Sequence, residues 1–286
     1  MSTLRIATLN IWNKSGPWSE RLRLIRREIE RLAPDVLGLQ EVLRYAPARD
    51  RVFEATPASC QATEIAEGLG YGVAYAEACE YGHGLKFGNA LLSRFPIASS
   101  ETLPLPGVET GEARSLLAVR VETPHGTLPV FVTHLNWKLH HGAVRFRQVK
   151  FIVARVFERE PVRGPHLPPV LMGDFNADPD ADEIRFLRGL KVDGDESVFF
   201  ADAWLYGGDG GPGATFAREN AFAAAAHEPS RRIDYIFVRG PDSLLRGEPV
   251  RTALAFDGAE SSGDQRVWPS DHYGVVSDVY FAPRSP

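Results

Sequence analysis

The strongest constraint in this chain is an apolar run that stops abruptly on polar side chains. The segment Pro169–Asp178 begins with apolar residues and then changes to Gly173, Asp174 and Asn176. Such a short run is typical of a strand buried on both faces, and Gly173 is expected to allow a tight exit from it. If the backbone stays extended, Asp174 and Asn176 point the same way, while Phe175 anchors on the other face. A turn explains these residues equally well, because Asp, Asn and Gly are common turn residues.

Polar residues also stand at the boundaries of other predicted strands. These strands are Leu4–Leu9, Asp35–Leu39, Leu116–Glu122, Leu128–Thr133, Ile233–Val238 and Tyr273–Tyr280. The polar residues at strand boundaries are Asn10, Glu41, His134, Asp174, Asn176, Asp234, Asp271 and His272. If the strand ends meet on one rim, they form a site of carboxylates, amides and imidazoles. Carboxylate and amide oxygens are hard ligands, so the site predicts Mg²⁺ or Mn²⁺ as its cation.

The order of the predicted elements favours an α+β fold with two packed sheets and helices outside them. Apolar periodicity predicts helices over Glu20–Leu32, Gln61–Leu69, Val144–Phe157 and Ala181–Leu190, and a short helix over Ala221–Ala226. Further strands are predicted over Gly72–Ala76 and Asn89–Ser93, around a turn that contains His83 and Lys86. Residues 43–60 read as irregular, 206–229 as the least ordered part, and 257–269 as a polar loop.

Charge and cysteine content narrow the possible partners and compartment. The 286-residue chain has a formal net charge of -5, which counts against a sequence-independent grip on nucleic acid but leaves a local basic patch open. Its two cysteines, Cys60 and Cys79, have no metal-type spacing and are expected to be reduced thiols. No signal peptide or membrane span is visible, so we expect a cytoplasmic protein.

Five short motifs, in this order, resemble those of the endonuclease/exonuclease/phosphatase superfamily, which has the deoxyribonuclease-I-like fold. The motifs are Gln40-Glu41, Thr133-His134-Leu135, Gly173-Asp174-Phe175-Asn176, Arg232-Ile233-Asp234-Tyr235-Ile236 and Ser270-Asp271-His272. Asn10 and the run Gly88–Arg94 are also similar to the family. The resemblance covers the chain from about Leu4 to Tyr280.

The resemblance implies a four-layer α/β sandwich with two facing, mixed but mostly antiparallel sheets and outer helices. It also implies that the protein is an enzyme that hydrolyses phosphate esters and depends on a divalent metal ion. By position, Glu41, Asn10 and Asp271 are similar to the family's metal-side residues. Asp174 and Asn176 resemble the pair that orients the attacking water and contacts the phosphoryl group. His272 resembles the general base or transition-state stabiliser, Asp234 its partner, and His134 a donor to a phosphate oxygen. Asp234 is then expected to raise the pKa of His272.

The substrate stays open among several classes. A phosphodiesterase acting on nucleic acid or nucleotides is the first reading, and a phosphatase or phospholipase-C-like enzyme acting on a small phosphoester is the alternative. A non-catalytic scaffold would require the loss of a motif residue, and none is lost. The form Arg-Ile-Asp-Tyr-Ile-Phe differs from that of inositol polyphosphate 5-phosphatases, which disfavours that branch. We expect residues 1–286 to form a single domain and a monomer.

Several residues near the motifs have two readings each. Arg114 is either a phosphate contact or a sheet-edge charge, and His140-His141 is either a second metal site or a solvated helix start. Aromatic residues near the motifs either stack on a substrate or pack in the core: Trp12, Trp137, Phe216 and Trp268. A polyanionic substrate would be favoured if basic residues clustered beside His134; the candidates are Arg114, Lys138, Arg145 and Arg147.

Overall fold

Two β-sheets pack face to face, and helices cover their outer faces. The computed structural model describes residues 3–46, 58–161, 165–263 and 265–282. The strands are β1 (Thr3–Asn10), β2 (Val36–Tyr45), β3 (Ser59–Cys60), β4 (Gly72–Glu80), β5 (Leu85–Ser93), β6 (Ile97–Pro104), β7 (Ser115–Thr123), β8 (Gly126–His134), β9 (Val170–Asp174), β10 (Ala201–Asp202), β11 (Asp234–Val238), β12 (Glu248–Ala255), β13 (Glu260–Ser262), β14 (Gln265–Val267) and β15 (Gly274–Tyr280). The helices are α1 (Trp18–Leu32), α2 (Gln61–Ala66), α3 (Gly142–Arg159), α4 (Asp182–Leu187), α5 (Ala203–Gly207) and α6 (Ala221–Ala224), with a 3₁₀ helix at Val108–Thr110.

Both sheets are mixed and mostly antiparallel. Within the described residues, the first sheet has the order β12-β15-β1-β2-β5-β4, with β3 beside β2, and the second has the order β10-β11-β9-β8-β7-β6. The parallel pairs are β1 with β2 and β8 with β9. The carboxyl ends of these parallel strands carry Asn10, His134 and Asp174, so one edge of each sheet collects polar groups.

Three apolar clusters separate the four layers. The central cluster joins both sheets, with Ile6 and Leu91 on one side and Val132 and Met172 on the other. A second cluster packs α3 and α4 on the second sheet, and a third packs α1 and α2 on the first. The predicted α+β sandwich with outer helices is confirmed. Among the described residues, no helix is long and apolar enough to cross a membrane.

Several predicted boundaries were wrong. Helix α2 stops at Ala66 rather than Leu69 because Glu67 turns to an extended backbone with ψ of 122°. Strand β5 begins at Leu85, so Lys86 lies in a strand rather than in the turn. The edge strands β6 and β12 are not indicated by the sequence, and the expected polar loop at 257–269 contains the hairpin of β13 and β14. In the expected irregular region 43–60, β2 continues to Tyr45, while residues 47–57 lie outside the described residues.

Candidate active site

His134, Asp174 and Asp234 lie side by side in one row across the second sheet. The parallel pairing of β8 and β9 places His134 opposite Asp174, and the antiparallel pairing of β11 and β9 places Asp234 opposite the same residue. All three side chains are buried, with 4%, 1% and 0% of their surface exposed. The register of three strands that are distant in sequence therefore builds the centre of the site.

Gly173 makes this row possible, although in a different way from the one expected. It lies within β9 rather than at a tight exit from it. A Cβ atom at this position would stand 2.0 Å from the carbonyl oxygen of Thr133 in β8, and its φ of +137° disfavours other residues. Glycine is required here because the backbones of β8 and β9 approach closely.

Asp174 and Asn176 face the same cavity, and the backbone reaches that arrangement through a turn. The strand ends at Asp174, whose Oδ1 accepts a hydrogen bond of 2.8 Å from the backbone N–H of Asn176. Asn176 has a left-handed φ of 51°, so of the two alternatives left open by the sequence the turn is the one found. Phe175 is fully buried on the opposite side, as expected. The two interpretations of this segment, a turn and a functional site, are therefore both correct, because the turn directs the side chains of Asp174 and Asn176 into the cavity.

His272 and Asp234 form a buried hydrogen-bonded pair. Nδ1 of His272 lies 2.9 Å from Oδ2 of Asp234, and the Asp234 backbone N–H donates to Oγ1 of Thr215. Burial alone would lower the pKa of His272, but the carboxylates of Asp234, Asp271 and Asp174 outweigh it and raise the pKa well above the usual value. The expectation that Asp234 raises this pKa agrees with that direction. The surrounding carboxylates therefore favour the charged form of His272.

His134 is held in the opposite charge state. One guanidinium nitrogen of Arg114 lies 3.2 Å from Nδ1 of His134, and a guanidinium can only donate, so Nδ1 accepts. The remaining proton is then on Nε2, which lies 3.4 Å from Oδ2 of Asp174. Burial, then the charges of Arg114 and His272, lower the pKa of His134 well below its usual value. The site thus contains one charged and one neutral imidazole.

Glu41 reaches the site from the first sheet through a bulge. The pairing of β2 with β5 shifts between Leu39 and Val42, and Glu41 there has a φ of 60°. Its carboxylate accepts hydrogen bonds from Nδ2 of Asn10 at 3.3 Å and from Nδ2 of Asn13 at 2.9 Å. The strand continues beyond this point, so the expected strand end is a bulge that re-aims one side chain.

Asn10 and Asp271 complete the polar edge. Nδ2 of Asn10 also donates to Oδ2 of Asp174 at 3.0 Å, so one amide joins acids from both sheets. Ser270 anchors the loop before β15. Its hydroxyl oxygen lies 2.6 Å from the backbone carbonyl oxygen of Asn10 and 3.2 Å from Oδ1 of Asp271. Burial raises the pKa of Asp271 to about 6 and, with the Asp234 carboxylate, that of Asp174 to about 7.

A hard divalent cation fits these donors. Burial raises the pKa of Asp174 and Asp271, and the neighbouring carboxylates of Asp234 and Glu41 add to the two shifts, so a positive ion would stabilise the charged forms of these acids. The described residues also contain a compact group of Asp174, Asp234 and His272, whose donor atoms lie within 4.8 Å of one another. In that group, however, Asp234 already binds Nδ1 of His272. Oxygen donors that open to the cavity are found instead on Glu41 and Asp271.

The site opens into a cavity of about 790 Å³ between the two sheet edges. Of the four basic candidates for a cluster beside His134, only Arg114 is among the described lining residues. Arg145 is buried against Glu183, and Arg147 pairs with Glu109 on the surface. The basic cluster that would favour a polyanionic substrate is therefore absent from the described cavity wall. Three of the four aromatic candidates, Trp12, Trp137 and Phe216, line the cavity, and Trp268 is buried outside it.

Three supporting residues were missed by the sequence reasoning. Asn13, which holds Glu41, carries no signal beyond being a second amide soon after β1. Thr215 lies in the segment 206–229, which the sequence predicts to be the least ordered part, yet it is fully buried and accepts a hydrogen bond from the Asp234 backbone N–H. In the same segment, Nδ2 of Asn220 donates to the carbonyl oxygen of Ser270 at 2.7 Å. The rings of His140 and His141 pack edge to face, and the described residues contain no third ligand that would make them a metal site.

The fold and the site together define a class of protein, the hydrolases of phosphate esters. Oxygen donors for a hard cation, an oriented acid and two imidazoles supply what phosphoryl transfer requires. The chain matches the model of the Endonuclease/Exonuclease/phosphatase family over residues 7–272, so it belongs to this family. Members of the family are hydrolytic phosphoesterases that generally use divalent metals. The comparison with curated proteins found no match.

Solved structures of the same fold span nearly the whole chain. TDP2 from D. rerio, complexed with a single strand DNA product, is 21% identical over 98% of this chain and 99% of that chain, with a TM-score of 0.69. The human Nocturnin catalytic domain with bound sulfate anion is 21% identical over 98% and 95%, with a TM-score of 0.66. An endonuclease/exonuclease/phosphatase from Beutenbergia cavernae is 26% identical over 99% and 72%, also with a TM-score of 0.66.

Proposed function

We propose that this protein is a monomeric phosphodiesterase that hydrolyses its substrate by in-line attack of a water, with Mg²⁺ or Mn²⁺ as the cation. The observation that carries the proposal is the environment of Oδ2 of Asp174. It is approached by Nδ2 of Asn10 at 3.0 Å, Nε2 of His134 at 3.4 Å and Nε2 of His272 at 3.9 Å. A buried acid surrounded by donors from both sheets is suited to hold a water beside a phosphoryl group.

The metal side of the site is assigned to Glu41, Asp271 and Asn10. Glu41 is oriented by two amides and Asp271 by Ser270, so both carboxylates are fixed before a cation arrives. In this structure Asn10 contacts the acids through its side-chain NH₂ group, because its side-chain oxygen Oδ1 accepts a hydrogen bond from the Trp12 backbone N–H at 3.0 Å. When bound, the cation would neutralise charge that develops on the phosphoryl oxygens.

The remaining residues act on the water and the phosphoryl group. Asp174 orients the attacking water, and Asn176 donates its amide to a phosphoryl oxygen. His272, charged and held by Asp234, donates Nε2–H where negative charge develops, which favours the transition-state role over the general base. His134 donates its Nε2–H to a phosphoryl oxygen and stays neutral, because Arg114 occupies its other nitrogen.

A diester is the first choice of substrate because the D. rerio relative is complexed with a single strand DNA product. A second candidate is a phosphatase or phospholipase-C-like activity on a small phosphoester. The cavity favours this second candidate through its charge, since its described lining contains six carboxylates against two guanidiniums. A cavity with few basic side chains is expected to bind a long polyanion weakly.

A metal-supplemented substrate panel tests the proposal. Purified protein with Mg²⁺ or Mn²⁺ is offered bis-p-nitrophenyl phosphate, p-nitrophenyl phosphate, DNA, RNA, nucleotides, sugar phosphates and phospholipids. We expect release of product from at least one diester and a loss of about 10²-fold or more in the Asp174→Asn variant. Asp257→Asn, at an exposed acid outside the cavity, is the matched control. No release from any substrate, or full activity in Asp174→Asn, would refute the proposal.

Cation binding is expected to weaken as the pH falls from 8 to 5. Burial raises the pKa of Asp271 to about 6, so protons compete with the cation for this carboxylate below that value. The apparent affinity for Mn²⁺ should drop by about tenfold per pH unit once one acid is protonated. Titration calorimetry at several pH values measures it, and Asp271→Asn should flatten the step near pH 6. An affinity independent of pH would contradict the assignment of Asp271.

A further inference from the structure

We propose that the substrate carries a bulky, uncharged apolar group next to the reacting phosphorus, and that this group binds to Tyr81, Val108 and Trp137. We call these three residues the apolar wall. The inference rests on the proposed function and deepens it, because it names the class of phosphoester that the cavity accepts: a compact molecule with an apolar ester group rather than a long polyanion.

The apolar wall is exposed and belongs to the same cavity as the catalytic acid. Tyr81, Val108 and Trp137 are exposed to 61%, 65% and 54%, and all three line the cavity that contains Asp174 and His272. Large apolar side chains exposed together in one concave site commonly mark a ligand surface. Exposure of these side chains to water is unfavourable, and an apolar group that covers them removes apolar surface from water and so stabilises the complex.

The wall is continuous with the reacting centre. The ring of Tyr81 lies 5.6 Å from that of Phe87, and the ring of Phe87 lies 6.3 Å from that of His134. Trp137 follows His134 by three positions at the end of β8, so the fold brings it to the same edge. A group bonded to a phosphorus atom beside His134 therefore meets apolar surface on this side of the cavity.

The charges around the cavity disfavour a polyanion. The two guanidiniums among the described lining residues are both paired: Arg114 with Glu112 at 3.1 Å, and Arg231 with Asp178 at 3.0 Å and Glu228 at 2.8 Å. No lysine is among those described residues. A strand of phosphates leaving the site would therefore find no unpaired guanidinium or lysine among these described residues, whereas an uncharged group needs none.

Three phosphonates that cannot be hydrolysed test the proposal by binding alone. Methylphosphonate, hexylphosphonate and 5-carboxypentylphosphonate share the phosphoryl group; the last two differ mainly by one terminal charge. With the protein and Mg²⁺ or Mn²⁺ in a calorimeter, hexylphosphonate should bind at least about tenfold more tightly than methylphosphonate. The carboxypentyl ligand should lose most of that gain, because its carboxylate meets an acidic, apolar surface.

Variants of the apolar wall test whether these residues cause the tighter binding of hexylphosphonate. Trp137→Ala and Val108→Ser should each reduce the preference for the hexyl chain and leave methylphosphonate affinity unchanged. Leu139→Ala is the matched control, since Leu139 is 58% exposed but does not line the cavity. It should retain the full preference.

The outcomes separate this inference from the proposed function. Equal binding of the three phosphonates, no binding, or tighter binding of an octathymidylate with a steep salt dependence would overturn the inference. A preference for hexylphosphonate that survives in Trp137→Ala and Val108→Ser would overturn it as well. Hexyl preference in a protein that hydrolyses nothing in the substrate panel would overturn the proposed function and leave the binding surface in place.

Discussion

Replacing Asp234 by asparagine is expected to lower kcat by about 10²–10⁴-fold. The carboxylate of Asp234 holds Nδ1 of His272 at 2.9 Å and contributes to its raised pKa. An amide of the same shape removes the negative charge, and when it presents its NH₂ group to Nδ1 it excludes the proton there and leaves His272 neutral. The backbone N–H of Asp234 still donates to Thr215, so the position of the strand should be kept.

The pH dependence separates this chemical role from a structural one. If the charged form of His272 is required, wild-type activity falls as the pH rises through the raised pKa of this histidine. In Asp234→Asn the pKa of His272 is lower, so the same fall should begin at lower pH. Steady-state kinetics across pH 5–10 measure both limbs, with the melting temperature as the check on folding and Asp257→Asn as control. An unchanged kcat and an unmoved alkaline limb would contradict the role given to His272 and Asp234.

The sequence predicts the members of the site better than their arrangement. Asp174, Asp234 and His134 each follow or open an apolar run, and that pattern is visible without a structure. Their row across β8, β9 and β11 depends on strand register, which is set by pairing between distant segments. Glu41 shows the same limit, because a bulge in β2 and not the end of the strand aims its carboxylate.

The electrostatic character of the cavity could not be read from the sequence for a related reason. Arg145 and Arg147 follow His134 closely enough to suggest a phosphate-binding patch. Both lie on α3, whose geometry points one inward to Glu183 and the other outward to Glu109. A count of basic residues near a motif therefore overestimates the free positive charge, since ion pairing is a tertiary property. The state of His134 likewise depends on Arg114, which approaches it from the position just before β7.

The segment 206–229 illustrates how composition can mislead. Its glycines permit irregular backbone, and the composition therefore predicts that this is the least ordered part of the chain. In the structure the segment packs Thr215 under Asp234, places the ring of Phe216 5.1 Å from that of His272, and supports Ser270 through Asn220. Glycine-rich sequence here is compatible with a fixed loop, because buried polar side chains supply the contacts that regular structure would give elsewhere.

Gly173→Ala is expected to destabilise the protein by about 3–5 kcal/mol, since it combines overpacking with an unfavourable φ. The added Cβ would stand 2.0 Å from the Thr133 carbonyl oxygen and 3.0 Å from its carbon, which are backbone atoms of the neighbouring strand and cannot rotate away. Relief requires β8 and β9 to separate, which also moves His134 from Asp174. Activity should therefore fall even in the fraction of the variant that remains folded.

Thermal and denaturant unfolding measure this effect, and Gly258→Ala provides the matched control. A Cβ at Gly258 meets no heavy atom within 4 Å, so the same substitution there should change the free energy of unfolding by no more than about 0.5 kcal/mol. For Gly173→Ala, a loss of this size is a large part of the ~5–15 kcal/mol that stabilises a typical protein. If the variant unfolds with the wild-type midpoint and keeps full activity, the close approach of β8 and β9 cannot be what fixes the spacing of His134 and Asp174.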